Sequence, residues 1–180
     1  MARKSARQQW ADKLAGKQVA SKCEVPVSLG LQASRFRGKV LGVDPSLRGT
    51  GLAVIDWDGH SGKLLASRTL KQIRELPVMD CLVDIAEAVR EMVEAHALTH
   101  VAVEETIYVQ NFQTAQVMGM VRGAVLTAAG QCRCQAYEYA PLRIKQAVVG
   151  AGRASKEQVA RTVQQLLRLP EPLPFDEADA

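Results

Sequence analysis

The chain predicts an α/β protein with a mixed sheet, and three observations lead there. Lys39–Asp44, Gly51–Trp57 and Lys63–Leu70 are β-forming runs divided by turn-rich stretches, which makes an antiparallel meander. Behind them, apolar residues recur at helical spacing at Met79, Leu82, Val83, Ala86, Val89 and Val93. From there strand and helix patterns alternate to the end of the sequence, which implies helices layered on a sheet with some strands parallel.

In the first strand Val40, Leu41 and Val43 are the β-formers, and Leu52, Val54 and Ile55 supply the second apolar set. Pro45, Gly49 and Gly51 favour turning between them. Asp44 closes the first strand at the mouth of that turn. A carboxylate there is costly to desolvate unless a cation, a donor or water receives it. Asp58–Gly62 is a hairpin loop, and residues 77–96 are an amphipathic helix. His100–Glu104 is a short apolar strand that runs into two acids, Glu104 and Glu105. Asn111–Gly130 is a second helix with Ala115, Met118, Val121, Val125 and Leu126 on its apolar side. Gly119 and Gly123, four apart, predict close packing of this helix against a neighbour, such as a second subunit.

Arg133–Tyr139 is a fifth strand and Pro141–Val149 a short helix ended by Gly150-Ala151-Gly152. Ser155 and Gln158 form a capping box for a helix to about Leu169. Pro170, Pro172 and Pro174 force an extended link, after which Phe175–Ala180 begins a helical turn. If the first and fourth strands lie side by side and parallel, Asp44 and Glu104 emerge at one sheet edge, where α/β folds place ligands.

Composition narrows the setting. The 180 residues suit one domain plus a tail. No apolar run reaches membrane-spanning length, and the N-terminus lacks a secretory apolar core. The four cysteines have no Cys-x-x-Cys spacing, so zinc is not expected and the thiols read as reduced, in a cytosolic protein. A net charge of +4 favours an anionic partner. It is concentrated at the start, where Arg3, Lys4, Arg7, Lys13, Lys17, Lys22, Arg35 and Arg37 face only Asp12 and Glu24. Residues 1–38 therefore read as a basic, mobile arm suited to phosphates, and 39–180 as the folded domain.

Four acids carry the chemistry. Asp176 and Asp179 are three apart and share a helix face. Docked against the strand edge, that face would gather Asp44, Glu104, Asp176 and Asp179. Clustered carboxylates repel and raise each other's pKa. A hard divalent cation with oxygen ligands, Mg²⁺ with Mn²⁺ as substitute, resolves the conflict. One or two such ions can serve the attacking water and the leaving oxygen of a phosphodiester.

The stretch from Val40 to Ala180 resembles the RuvC-type Holliday junction resolvases, members of the RNase H-like superfamily. The marks are Gly42-Val43-Asp44-Pro45 with Thr50-Gly51, Ala102-Val103-Glu104, Asn111, Arg122-Gly123, Lys145–Gly152 and Asp176–Ala180. The resemblance implies an RNase H-like fold, a five-stranded mixed sheet flanked by helices. It also implies a homodimer that nicks two strands of a four-way DNA junction symmetrically, in recombination and repair, in the cytoplasm and at the nucleoid, with a RuvA–RuvB branch-migration complex as a possible partner. Family catalytic and metal-binding acids fall on Asp44, Glu104, Asp176 and Asp179, with Glu104 preferred over Glu105 by strand phase. Lys145 and Lys156 match positions near the scissile phosphate. Tyr108, Asn111, Arg143, Arg153, Ser155 and Arg161 are the expected DNA contacts, and Gly119, Arg122 and Gly123 the dimer contacts.

The chain departs from the family in three places. Ser46 stands where Gly is usual. Ile107 replaces an aromatic that stacks on a junction base, which leaves Tyr108 as the alternative wedge. The sequence given stops one residue past Asp179, where the family continues into a long helix, so the last turn is expected to fray unless metal orders it. Two other readings stay open on the residues: an RNase H-like nuclease of ribosomal RNA precursors, and a junction-binding protein that does not cut.

Overall fold

A computed structural model describes residues 36–105 and 111–180. The basic arm before Phe36 and the expected wedge Tyr108 lie outside the described residues. The elements run β1 (Gly38–Asp44), β2 (Gly49–Trp57), β3 (Gly62–Lys71), α1 (Val78–His96), β4 (His100–Glu104), α2 (Phe112–Gln131), β5 (Gln135–Tyr139), α3 (Pro141–Val149), α4 (Lys156–Leu166) and α5 (Phe175–Asp179). The sheet order is β3-β2-β1-β4-β5. The meander β1–β2–β3 is antiparallel, while β4 joins β1, and β5 joins β4, in parallel.

Alternation of side chains gives the sheet two unlike faces. Leu41 and Val43 of β1, Leu52 and Val54 of β2, and Val101 and Val103 of β4 point to one side and are buried. They form a continuous core with Ile85 and Val89 of α1 and Val121 and Val125 of α2. Each fully buried aliphatic side chain there contributes about 1.5–3 kcal/mol. The opposite face carries Gly42, Asp44, Gly51 and Ala53, with Ala102 and Glu104 beside them. α5 packs over this face on β1, β2 and β3, and α4 packs on α5.

Several boundaries differ from expectation for local reasons. β2 starts at Gly49, since Gly49 and Thr50 pair with Lys71 and Leu70. Arg133 adopts a left-handed φ of 57°, which ends α2 and delays β5 to Gln135. Arg168, at φ 53°, likewise closes α4 before Leu169. The phase of α1 is corrected: Cys81, Ile85, Ala88, Val89, Met92 and Val93 are buried, whereas Met79 and Val83 are exposed. The first turns of this helix are apolar on more than one side, so periodicity there does not select a face. The turn after Asp44 accepts Ser46 without a left-handed residue, because Thr50 ties it. Thr50 Oγ1 donates to the Ser46 carbonyl at 2.5 Å and accepts from Ser46 N at 3.3 Å.

Candidate active site

Asp44 and Glu104 are the last residues of β1 and β4. These strands are adjacent and parallel with Val43 opposite Val103, so the next residues on each bring the two carboxyls together on one face. They share a hydrogen bond. Burial, then the Asp44 charge, push the Glu104 carboxyl up to about 7. Burial also raises Asp44, with Asp179 and Asp176 adding to the rise and Glu104 and Lys156 opposing it. Both carboxyls of the pair are therefore raised, by burial foremost. Glu105, just past the end of β4, is exposed and sends its backbone N–H to the Tyr139 carbonyl at 2.9 Å.

α5 reaches this pair through a seat of two glycines. A Cβ on Gly42 would stand 1.7 Å from the carbonyl oxygen of Ala180, and one on Gly51 would stand 1.8 Å from that of Asp176. The helical turn thus lies with its backbone directly on the strands, and Ala178 is buried beneath it. The reading of Gly51 as a turn former is corrected: it sits inside β2, opposite Asp44, and the close approach of α5 requires it. The same docking bears on the last turn, which the sequence leaves without partners of its own. A five-residue helix has little stability alone, but here the sheet and α4 hold it.

A cleft of about 310 Å³ opens beside the seat, lined by Asp44, Glu104 and Asp179 and by Lys145 and Lys156. Lys156 is the first residue of α4, and its Nζ pairs with Asp179 Oδ2 at 3.0 Å. That contact, foremost, raises the Lys156 pKa. Lys145, on α3, lowers the Glu104 pKa. Asp176 does not line the cleft; its Oδ2 lies 3.5 Å from the point that a Cβ on Gly49 would occupy. Among the described residues no three acids, histidines or cysteines converge as a ready cation cage.

The remaining expected residues divide by helix phase. Arg143 and Arg161 are exposed on the outer sides of α3 and α4, and Arg153 is exposed in the loop between them. Asn111 and Ser155 are helix caps: Asn111 Oδ1 accepts from Gln113 N at 2.9 Å, and Ser155 Oγ accepts from Gln158 N at 3.3 Å. Arg122 makes a two-pronged pair with Glu138 of β5. Gly119 and Gly123 are exposed, and a Cβ on either meets nothing within 4 Å among the described residues. The close packing expected of them is not made among the described residues. Residues that the sequence did not single out also touch α5. Glu177 accepts from Ser67 Oγ at 2.6 Å and from Thr69 Oγ1 at 3.3 Å.

The Glu104 pKa fixes a pH dependence. Its folded value, about 7, lies above the ordinary carboxylate value of 4.5. The folded state therefore binds more protons than the unfolded chain between these values. The group's stabilising contribution is complete below pH 4.5 and is lost as pH rises through 7. The carboxyl is partly open to solvent, so the change is on the order of 1 kcal/mol. Glu104→Gln removes this titration. In metal-free protein, Tm of wild type minus Tm of the variant is expected to fall between pH 5 and 8, and a flat difference would contradict the assignment.

The sheet order and the acids at the carboxyl ends of neighbouring parallel strands define an RNase H-like α/β protein. Residues 40–180 match the family described as Crossover junction endodeoxyribonuclease RuvC, and the chain belongs to that family. A relative of that name from Halorhodospira halophila is 40% identical over 142 residues, covering 79% of this chain and 84% of its own. One from Aromatoleum aromaticum is 41% identical over 145 residues, covering 79% and 76%. Among solved structures, Thermus thermophilus RuvC in complex with Holliday junction substrate superposes with a TM-score of 0.74 at 34% identity, covering 80% of this chain and 88% of that one.

Proposed function

We propose that residues 39–180 form a structure-selective endodeoxyribonuclease that resolves four-way DNA junctions by paired symmetric nicks, in recombination and repair. The observation that carries this reading is the hydrogen-bonded Asp44–Glu104 pair at the sheet edge, facing Asp179 and Lys156 across one cleft. The family membership and the junction-bound relative support it. Burial foremost, with neighbouring carboxylates adding, raises Asp44 and Glu104, and the donor set is all oxygen. It suits a hard divalent cation, Mg²⁺ with Mn²⁺ as substitute, one or two per subunit. Asp44, Glu104, Asp179 and Asp176 would hold it. When bound, the cation supplies Lewis acidity at the phosphate and a more acidic water.

The chain's own cations do the rest. Lys145 and Lys156 stand on the cleft side of α3 and α4, where a phosphate entering the cleft meets both ammonium groups. There they orient it and offset the charge that develops on its oxygens. Arg143, Arg153 and Arg161, on the outer surface, suit phosphates farther along the duplex arms, and the basic arm before Phe36 suits non-specific contact. A junction of two-fold symmetry needs two sites related by a two-fold axis. The outer face of α2, with Phe112, Gly119, Met120 and Gly123 exposed, suits a homodimer. Among the described residues no helix is long and apolar enough to cross a membrane. A cytoplasmic, nucleoid-associated protein working with a RuvA–RuvB complex completes the reading.

The test is a labelled immobile four-way junction and a linear duplex of the same sequence, each with Mg²⁺, with Mn²⁺ and with chelator. Symmetric nicks on the junction alone, and only with a cation, are expected. Tight junction binding without nicks under every condition would replace this reading with a non-cutting junction binder. Lys156→Ala is expected to slow nicking on the order of 10²-fold with metal-free junction binding nearly retained. Its Tm should change little, because the Lys156 side chain is 56% exposed and such pairs contribute about 0–1 kcal/mol.

A further inference from the structure

Glu177 lies between two of the candidate ligands on α5, at the wall of the same cleft, and its carboxylate is bonded to β3. Its carboxylate spans two hydroxyls of β3, with Oε2 accepting from Ser67 Oγ at 2.6 Å and Oε1 from Thr69 Oγ1 at 3.3 Å. Ser67 and Thr69 are two apart in a strand and so share a face. Register places Ser67 opposite Ala53, itself opposite Gly42; it places Thr69 opposite Gly51, itself opposite Asp44. Two rows therefore cross the sheet beneath α5, Gly42–Ala53–Ser67 and Asp44–Gly51–Thr69. Gly42 in the first row and Gly51 in the second seat the backbone of α5. One end of the second row is the catalytic acid, and the β3 end of each is a hydroxyl.

A seat of two glycines fixes how closely α5 approaches but offers no side-chain bond to fix how the turn is rotated about its axis; on the other side the Lys156–Asp179 pair ties it to α4. Five residues cannot fix that rotation by internal hydrogen bonds. Two hydroxyls held by one carboxylate can, since charge-assisted bonds are stronger and more directional than neutral ones. We propose that Glu177, through Ser67 and Thr69, is a positioning residue that sets the rotation of α5 and so the presentation of Asp176 and Asp179 to the site. The proposal rests on the reading of Asp176 and Asp179 as metal-binding acids. Loss of an orienting partner of a ligand set typically costs about 10–100-fold in metal affinity.

The experiment compares wild type, Glu177→Ala, Glu177→Gln, the double variant Ser67→Ala/Thr69→Ala, and the triple variant. Two quantities are read on each: hydrogen exchange in metal-free protein and the Mn²⁺ concentration for half-maximal junction nicking. Glu177→Ala and the double variant are each expected to speed exchange at the amides of Glu177, Ala178 and Ala180 about tenfold, with those of Leu41 and Val43 unchanged. Each should raise the half-maximal Mn²⁺ about 10–100-fold while nicking at saturating Mn²⁺ stays within a fewfold of wild type. Glu177→Gln, which keeps one acceptor oxygen, should fall between. The triple variant should match Glu177→Ala, because both changes remove the same contact. Unchanged exchange, or effects that add in the triple variant, would overturn the proposal. A wild type that never nicks would instead refute the nuclease reading, and the exchange data would still judge the clasp.

Discussion

Asp44→Asn is expected to abolish junction nicking, with a loss on the order of 10³-fold or more, while metal-free junction binding persists. Loss of a partner that only orients a metal-binding group costs about 10–100-fold, and a group in direct contact costs more. Asp44 is the acid at the centre of the set. It bonds Glu104, and Asp179, Lys156 and Asp176 all act on it. The amide keeps the size and removes the charge. In metal-free protein the same change should be neutral or stabilising above pH 7. Burial and the neighbouring carboxylates raise the Asp44 pKa, so its ionised form is the strained one there. Relief of about 1 kcal/mol would raise Tm by about 2–4 °C. Junction-nicking rates and thermal melts of the two proteins at pH 8 check both halves. A variant that nicks at a tenth of the wild-type rate would remove Asp44 from the catalytic set.

Gly51→Ala is expected to be nearly as damaging, although the residue carries no chemistry. The added methyl would stand 1.8 Å from the Asp176 carbonyl oxygen and 2.6 Å from its carbon. No rotamer relieves a clash between a Cβ and a backbone, so α5 must lift from the sheet and take Asp176 and Asp179 with it. The core is on the other face and is untouched. α5 itself buries only Ala178, so the melting temperature should fall by less than about 4 °C. Nicking should fall to the level of the Asp176→Ala/Asp179→Ala variant, on the order of 10³-fold below wild type. Combining all three changes should add nothing. Wild-type nicking by Gly51→Ala would show that close docking of α5 is dispensable.

Strand phase made much of the site legible. Asp44 and Glu104 each close a short apolar strand, and alternation alone separates Glu104 from Glu105. The Ser155–Gln158 capping box placed α4, and with it Lys156 at its first position. The spacing of Asp176 and Asp179 put both on one turn. Elsewhere local pattern was not enough. Met79 and Val83 fit a helical stripe as well as Cys81 and Ile85 do, and only contact with α2 and the sheet chose between them. Asn111 and Ser155 were legible as polar residues at helix starts, but their side chains are spent on caps. Ser67 and Thr69 carried no signal, because nothing along the chain links β3 to a residue 108 or more positions away.

The sequence by itself determined the class of fold and singled out four acids and two lysines as candidates, five of which line one cleft. Those rest on side-chain alternation, helix periodicity, capping and the family's motifs, all of which are local in the chain or tied to fixed spacings. Only the tertiary structure decided which surface receives α5, which glycines admit it and which hydroxyls hold Glu177. Those are matters of register across β1, β2 and β3 and of helix docking. Register is a property of strands paired in space: shifting it by one residue moves every side chain to the other face without altering a letter of the sequence.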